Sequence, residues 1–204
     1  WTVSGLRGTG SHDMEVTDLL VPKGRSVSIV SDRPREPGHL YAFPVFGLLA
    51  LGIAAVATGI ARSALRDLVE IAGGKVPTGS RRRLADRAVT QAETAQAEAM
   101  LRSARAFLFD AVGECADEAR KEGSIRVPAR ARLRLAATNA AIVSARVVDV
   151  AYNAGGGTSI YQSSLLQRRF RDVHVVTQHM MVSPATYELV GRVFLGLEID
   201  ASML

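Results

Sequence analysis

Cysteine, lysine and aromatic side chains are all scarce in this chain of 204 residues. The single cysteine, Cys115, excludes an internal disulfide and suits a reducing, cytoplasmic setting. It falls in a helical pattern, where a small buried thiol is the simplest role. Aromatics make up only 5% of a composition that is 48% apolar. Alanine, leucine and valine must therefore fill the core, and they favour helices in close contact. Of the 25 basic residues only 3 are lysine and 22 are arginine. The net charge of +5 suits nucleic acid, an anionic cofactor or an acidic partner, and does not choose among them. No secretory signal is evident. The longest apolar run, residues 45–61, falls short of the ~20 residues of a membrane span and contains Gly47, Gly52 and Gly59. It reads as a buried bundle helix. The chain does not begin with methionine, and Trp1 already lies in a patterned segment, so the expectation is the carboxy-terminal part of a longer protein.

What is present divides into two parts. Residues 1–22 read as extended structure, with a glycine-rich turn from Gly5 to Gly10 and Met14 and Val16 alternating with polar neighbours, stopped by Pro22. A proline-rich loop covers residues 31–40. Beyond Tyr41 the pattern is helical throughout. The spacing predicts helices over Pro44–Ala72, capped by Gly73-Gly74; Arg82–Lys121; Pro128–Asn153; Ser163–Met180; and a shorter one from Pro184 to Leu195. Long helices on short loops imply an antiparallel bundle.

The segment Asn153–Met180, NAGGGTSIYQSSLLQRRFRDVHVVTQHM, concentrates the residues that can do chemistry. One glycine caps a helix, so Gly155-Gly156-Gly157 followed by Thr158 points to close backbone approach, and N–H groups in such a turn can hold a phosphate. It is neither a Walker loop, lacking GKS/T, nor a dinucleotide fingerprint, lacking a preceding strand. On a continuous helix Arg168, Asp172, Val175 and His179 share one face, while His174 lies roughly 140° from His179, which removes a shared metal. The same Arg168–Asp172 spacing also serves a surface i,i+4 pair, worth roughly 0.3–0.5 kcal/mol. Arg81-Arg82-Arg83 at a helix start would oppose the dipole and invite an anion, either a phosphate or a partner's carboxylates. A DNA contact ranks lower, because no recognition helix is near. Ser11, His12 and Asp13 are consecutive turn residues and cannot orient as a hydrolytic triad.

Three stretches resemble the carboxy-terminal half of the acyl-CoA dehydrogenase superfamily, and most closely its two-component flavin monooxygenases. They are GLRGTGSHDMEVTDLLVP (Gly5–Pro22), GSRRRLADRAVTQAETAQAEAMLRSAR (Gly79–Arg105) and LLQRRFRDVHVVTQH (Leu165–His179). The resemblance implies a mainly α fold: an antiparallel four-helix bundle over residues 41–204, preceded by a short β remnant of a middle domain over residues 1–40. It implies FAD or FMN as cofactor, with reduced flavin supplied by a separate reductase, and a homotetramer acting on a small aromatic, polycyclic or acyl substrate, with no nucleic acid, membrane or metal involved. Arg81 or Arg83 would hold flavin phosphate, Gly156, Gly157 and Thr158 would line the flavin, and His179 would face its reactive edge. Many acyl-CoA dehydrogenases carry a catalytic glutamate just before the last helices, and this chain has no acid between Asp172 and Glu188. That favours oxygen chemistry over oxidation of an acyl-CoA thioester. A non-catalytic helical module is the remaining alternative.

Overall fold

The computed structural model describes residues 1–204. Five α-helices are present: α1 (Val45–Gly74), α2 (Ala88–Glu122), α3 (Val127–Gly155), α4 (Leu165–Val176) and α5 (Ala185–Phe194). Pro44 precedes α1, Pro128 stands in the first turn of α3, and Gly123 takes the left-handed conformation after α2. The central element is α3. Its Ala136, Ala137, Ala140 and Ala141 are completely buried. Ala50, Ala54, Ala57, Ala61 and Ala64 recur on α1 at helical spacing and are equally buried, as the glycine-interrupted apolar run predicts. α2 contributes Ala97, Leu101, Ala104, Leu108, Ala111 and Cys115. The Cys115 thiol is fully buried, donates to the Ala129 carbonyl at 3.6 Å, and is pushed up to about 11 by burial. α1 and α3 are also long and apolar enough to cross a membrane by length and composition.

Both α1 and α2 pack on α3 but touch each other little, leaving a cleft of about 640 Å³ between them. One carboxylate spans that groove. Arg62 on α1 forks onto Glu98 of α2 at 2.5 and 3.1 Å, and Arg102 joins it at 2.6 Å. Hydrogen bonds from these two guanidinium groups, Arg62 first, hold the Glu98 carboxyl down at about 2.

Three expectations change. The β remnant does not form: residues 1–44 contain only short 3-10 turns at Arg7–Thr9, Lys23–Arg25 and His39–Ala42. A strand needs a backbone partner, and the Met14–Val16 alternation has no face to cover, both side chains being exposed. The second helix starts at Ala88 rather than Arg82. Ahead of it, buried Leu84 anchors a 3-10 turn by giving its N–H to the Lys75 carbonyl at 2.7 Å. The fourth helix stops at Val176 rather than Met180. The β-branched run Val175-Val176-Thr177 weakens it, and the Thr177 hydroxyl bonds the His174 carbonyl at 2.8 Å.

The amino-terminal segment is instead clasped onto α4. The Leu6 N–H donates to Asp172 Oδ1 at 2.7 Å, and Arg171 donates to the Ser4 carbonyl at 3.1 Å. Gly5 between them lies so close that a Cβ there would overlap the Arg171 carbonyl group. Leu6 is held at φ 51°, a left-handed conformation that Leu rarely adopts.

Two predictions follow from this packing. Gly5→Ala must push the segment off α4 and should cost about 1–3 kcal/mol, read as a lower melting temperature and faster proteolysis within residues 1–20. An unchanged melting temperature and cleavage pattern would remove the clasp. Glu98 has a folded value below its unfolded one, so its contribution is complete above about pH 4.5 and is lost as pH falls towards 2. Glu98→Gln should therefore give a flatter melting-temperature curve than the unsubstituted protein across that window, and parallel curves would contradict the bridge.

Candidate functional site

Most of the α4 cations turn inward on the protein itself. Arg168 lies 3.5 Å from Asp172, and Arg169 reaches Asp67 of α1 at 3.2 Å. His174 Nε2 meets Asp149 of α3 at 2.8 Å while its ring packs on Phe170, 4.4 Å between centroids. With Arg171 and Asp172 occupied by the amino-terminal segment, this cluster fastens α4 to its neighbours.

The glycine turn and the loop that carries the arginine run are both tied to Lys75 at one end of the bundle. α3 continues through Gly155, and Gly156 then takes φ 57° and ψ −143°, a conformation open essentially to glycine alone. A Cβ at Gly157 would meet nothing within 4 Å, so the turn presents bare backbone to open space. Lys75, just past the end of α1, ties the pieces together. Its ammonium donates to the Gly155 carbonyl at 2.5 Å, and its own carbonyl accepts the Leu84 N–H next to Arg83. Arg83 is engaged by Asp86 through two hydrogen bonds of 3.0 Å. Neither Arg81 nor Arg82 enters an ion pair, and both are exposed. Of the two candidate arginines, Arg81 is the one with a free guanidinium.

Beside the turn, a cleft of about 340 Å³ runs between α1 and the start of α4, lined by Thr158, Tyr161, Ser163 and Ser164 with Asp67 and Glu70. The Ser164 hydroxyl caps nothing and is buried without a hydrogen-bond partner. The Gly156 N–H is given to the Asn153 carbonyl, which leaves the unpaired Arg81, the open backbone at Gly157 and the orphaned Ser164 hydroxyl as donor types suited to the phosphate end of a flavin nucleotide.

His179 lies elsewhere. It is exposed, sits beyond the end of α4, and caps a 3-10 turn by accepting the Met181 N–H on Nδ1 at 3.2 Å. It therefore leaves the helix face expected to hold Arg168, Asp172 and Val175. Because Nδ1 accepts, the neutral ring carries its proton on Nε2, which has no partner in the chain. The length of α4, about 18 Å at 1.5 Å per residue, separates this imidazole from the glycine turn. Lys75 links the loop that carries Arg81–Arg83 to the glycine turn, through Leu84 on one side and Gly155 on the other, while His179 lies beyond the far end of α4. Lys75 escaped the sequence reading. Its signal was a rare lysine directly after a glycine-capped helix.

Residues 51–184 match the family described as acyl-CoA dehydrogenase, C-terminal domain. Along 96% of the chain and 50% of the relative, the sequence is 36% identical to an indole-3-acetate monooxygenase of Pseudomonas putida. It is 28% identical to the oxygenase component of an FADH(2)-dependent resorcinol hydroxylase of Rhizobium, over 97% of the chain and 53% of the relative. The solved structure of XiaF from Streptomyces, in complex with FADH2 and glycerol, superposes with a TM-score of 0.89 at 25% identity, covering 97% of this chain and 52% of that one. The chain spans about half the length of these relatives. With the family pattern running over most of its helices, the chain belongs to the acyl-CoA dehydrogenase C-terminal domain family.

Proposed function

We propose that this chain is the helical half of a flavin-dependent monooxygenase that uses reduced flavin and O2 to hydroxylate a small aromatic or polycyclic substrate. The observation that carries the proposal is its likeness, along nearly its whole length, to an indole-3-acetate monooxygenase. The cofactor supplies the activation of O2 when bound. What the chain supplies is placement. Arg81 and the open backbone at Gly157 bind the phosphate end, Gly156 shapes the turn beside it with its N–H on the Asn153 carbonyl, and Thr158 lines the adjoining cleft. Arg83 is a supporting residue that shapes the loop through Asp86. His179 holds a proton on Nε2 and donates a hydrogen bond from it to an oxygen acceptor. Accepting a proton instead would charge the ring at Nδ1 and break its bond to Met181. Its position in a capped turn fixes the imidazole plane while leaving Nε2 clear.

FAD is the favoured flavin, because the named relative and the bound complex are FADH2 proteins. The description of the resorcinol enzyme as an oxygenase component supports a separate flavin reductase as partner. A homotetramer is supported by the apolar face of α1, where Val45, Leu48, Leu49 and Val56 are each about half exposed. The scarcity of cysteine supports a cytoplasmic location.

In the full-length protein supplied with FADH2 and O2, His179→Ala should lower hydroxylation about 10²–10⁴-fold and leave the affinity for flavin within twofold. Turnover that survives the substitution would remove His179 from the chemistry. Anaerobic bleaching of bound oxidised flavin by an acyl-CoA thioester would replace hydroxylation with thioester oxidation.

A further inference from the structure

Lys75 is one of three lysines in the chain, and its setting is unlike a solvated surface cation. It is half-buried at the end of α1, and no carboxylate lies within 4.0 Å of its ammonium. One of its three N–H bonds goes to the Gly155 carbonyl at 2.5 Å. The ammonium stands 3.6 Å from where a Cβ on Gly156 would sit, next to Gly157, whose own Cβ position is open. Of the two acids lining the neighbouring cleft, Asp67 is held by Arg169, leaving Glu70 on the exposed face of α1. A half-buried lysine with no acid has two strong donors to spare. An anion at the turn would take them. The loop that carries Arg81 and Arg82 is moored to the same residue through its carbonyl.

We propose that Lys75 is a phosphate-binding residue of the flavin site, its ammonium clipping the glycine turn with one proton and meeting a phosphate oxygen of the cofactor with another. This rests on the flavin reading above and adds a residue to it. The single ammonium does two things: it sets the conformation in which the Gly157 backbone faces the ligand, and it supplies charge at the same point.

The test compares Lys75→Gln, which removes the charge but keeps a donor, with Lys75→Arg, which keeps the charge, in the full-length protein. FAD and lumiflavin, a flavin ring without phosphate, are titrated by fluorescence at several salt concentrations. Lys75→Gln should weaken FAD binding about tenfold or more and make its salt dependence shallower, with lumiflavin unchanged. Lys75→Arg should restore most of the affinity. If Lys75 only props the turn, the melting temperature falls while the salt dependence of FAD binding stays as it was, and the proposal fails. Arg81→Ala serves as the control for the site itself. FAD affinity lost in Arg81→Ala but kept in Lys75→Gln overturns Lys75 alone. An unsubstituted protein that takes up no flavin, oxidised or reduced, overturns the flavin reading and this proposal together.

Discussion

Everything in this bundle depends on how closely two helices can approach α3. Alanines at 136, 137, 140 and 141 give α3 a shallow surface, and the alanine stripe of α1 meets it with side chains of the same size. A methyl group on each side brings backbones near and buries them with little loss of rotamer freedom. Because both flanking helices take their position from α3, the ends of α1 and α3 fall side by side. Lys75 therefore reaches Gly155 although 80 residues separate them in sequence. The same close seam explains the low aromatic content, since rings would hold the helices apart.

Contact through small side chains is strong in the seam and weak outside it, so the other elements are fastened by polar groups. α4 has a single turn-spaced row of buried apolar residues, Leu166, Val173 and Val176. Arg169–Asp67 and His174–Asp149 secure it to α1 and α3, and Arg171 with Asp172 holds the segment ahead of the bundle. The Glu98 carboxylate plays the same part across the α1–α2 groove. These pairs are partly buried, which makes their geometry matter more than that of exposed pairs. The consequence for the site is positional: α4 is pinned along its length, and His179 hangs just beyond its pinned end.

The helices, their order and the buried Cys115 were legible in the sequence, because 3.6-residue periodicity and glycine or proline punctuation act locally. The end of α4 was not. Arg168, Asp172, Val175 and His179 share a face only if the helix continues, and whether it does turned on the Thr177 hydroxyl and two preceding valines. The β remnant failed for a different reason: alternation at Met14 and Val16 describes a strand only where another strand pairs with it. Arg81 and Arg83 looked alike in sequence. Asp86 distinguishes them, because a 3-10 turn at Leu84–Asp86 brings its carboxylate back onto Arg83.

That last distinction gives the cation-rich composition its meaning. Sequence alone counts 25 positive side chains against 20 negative ones and treats them as one excess. The structure sorts them by what they touch. Arg62, Arg83, Arg132 and Arg169 each have a carboxylate, and their charge is used up within the fold. Arg134 is buried and Arg130 half-buried, both without an acid; their terminal N–H groups go to the carbonyls of Ala201, Leu204, Phe46 and Met203, while the Nε of each has no partner. Around the glycine turn satisfaction is also incomplete: Lys75 has one carbonyl, the Ser164 hydroxyl of the adjoining cleft has nothing, and Arg81, on the loop moored to Lys75, has no acid. Unpartnered buried donors occur elsewhere too, at Arg130 Nε, Arg134 Nε and Arg171 Nε, but beside the glycine turn a half-buried ammonium with spare N–H groups and an unpartnered hydroxyl border an open cleft, which suits an anion with several acceptor oxygens. His179 fits the same logic at the other end of α4, with one ring nitrogen committed to the backbone and the other left over. The two unsatisfied places lie a helix length apart, which matches a long cofactor with a charged end and a reactive end better than it matches any compact ligand.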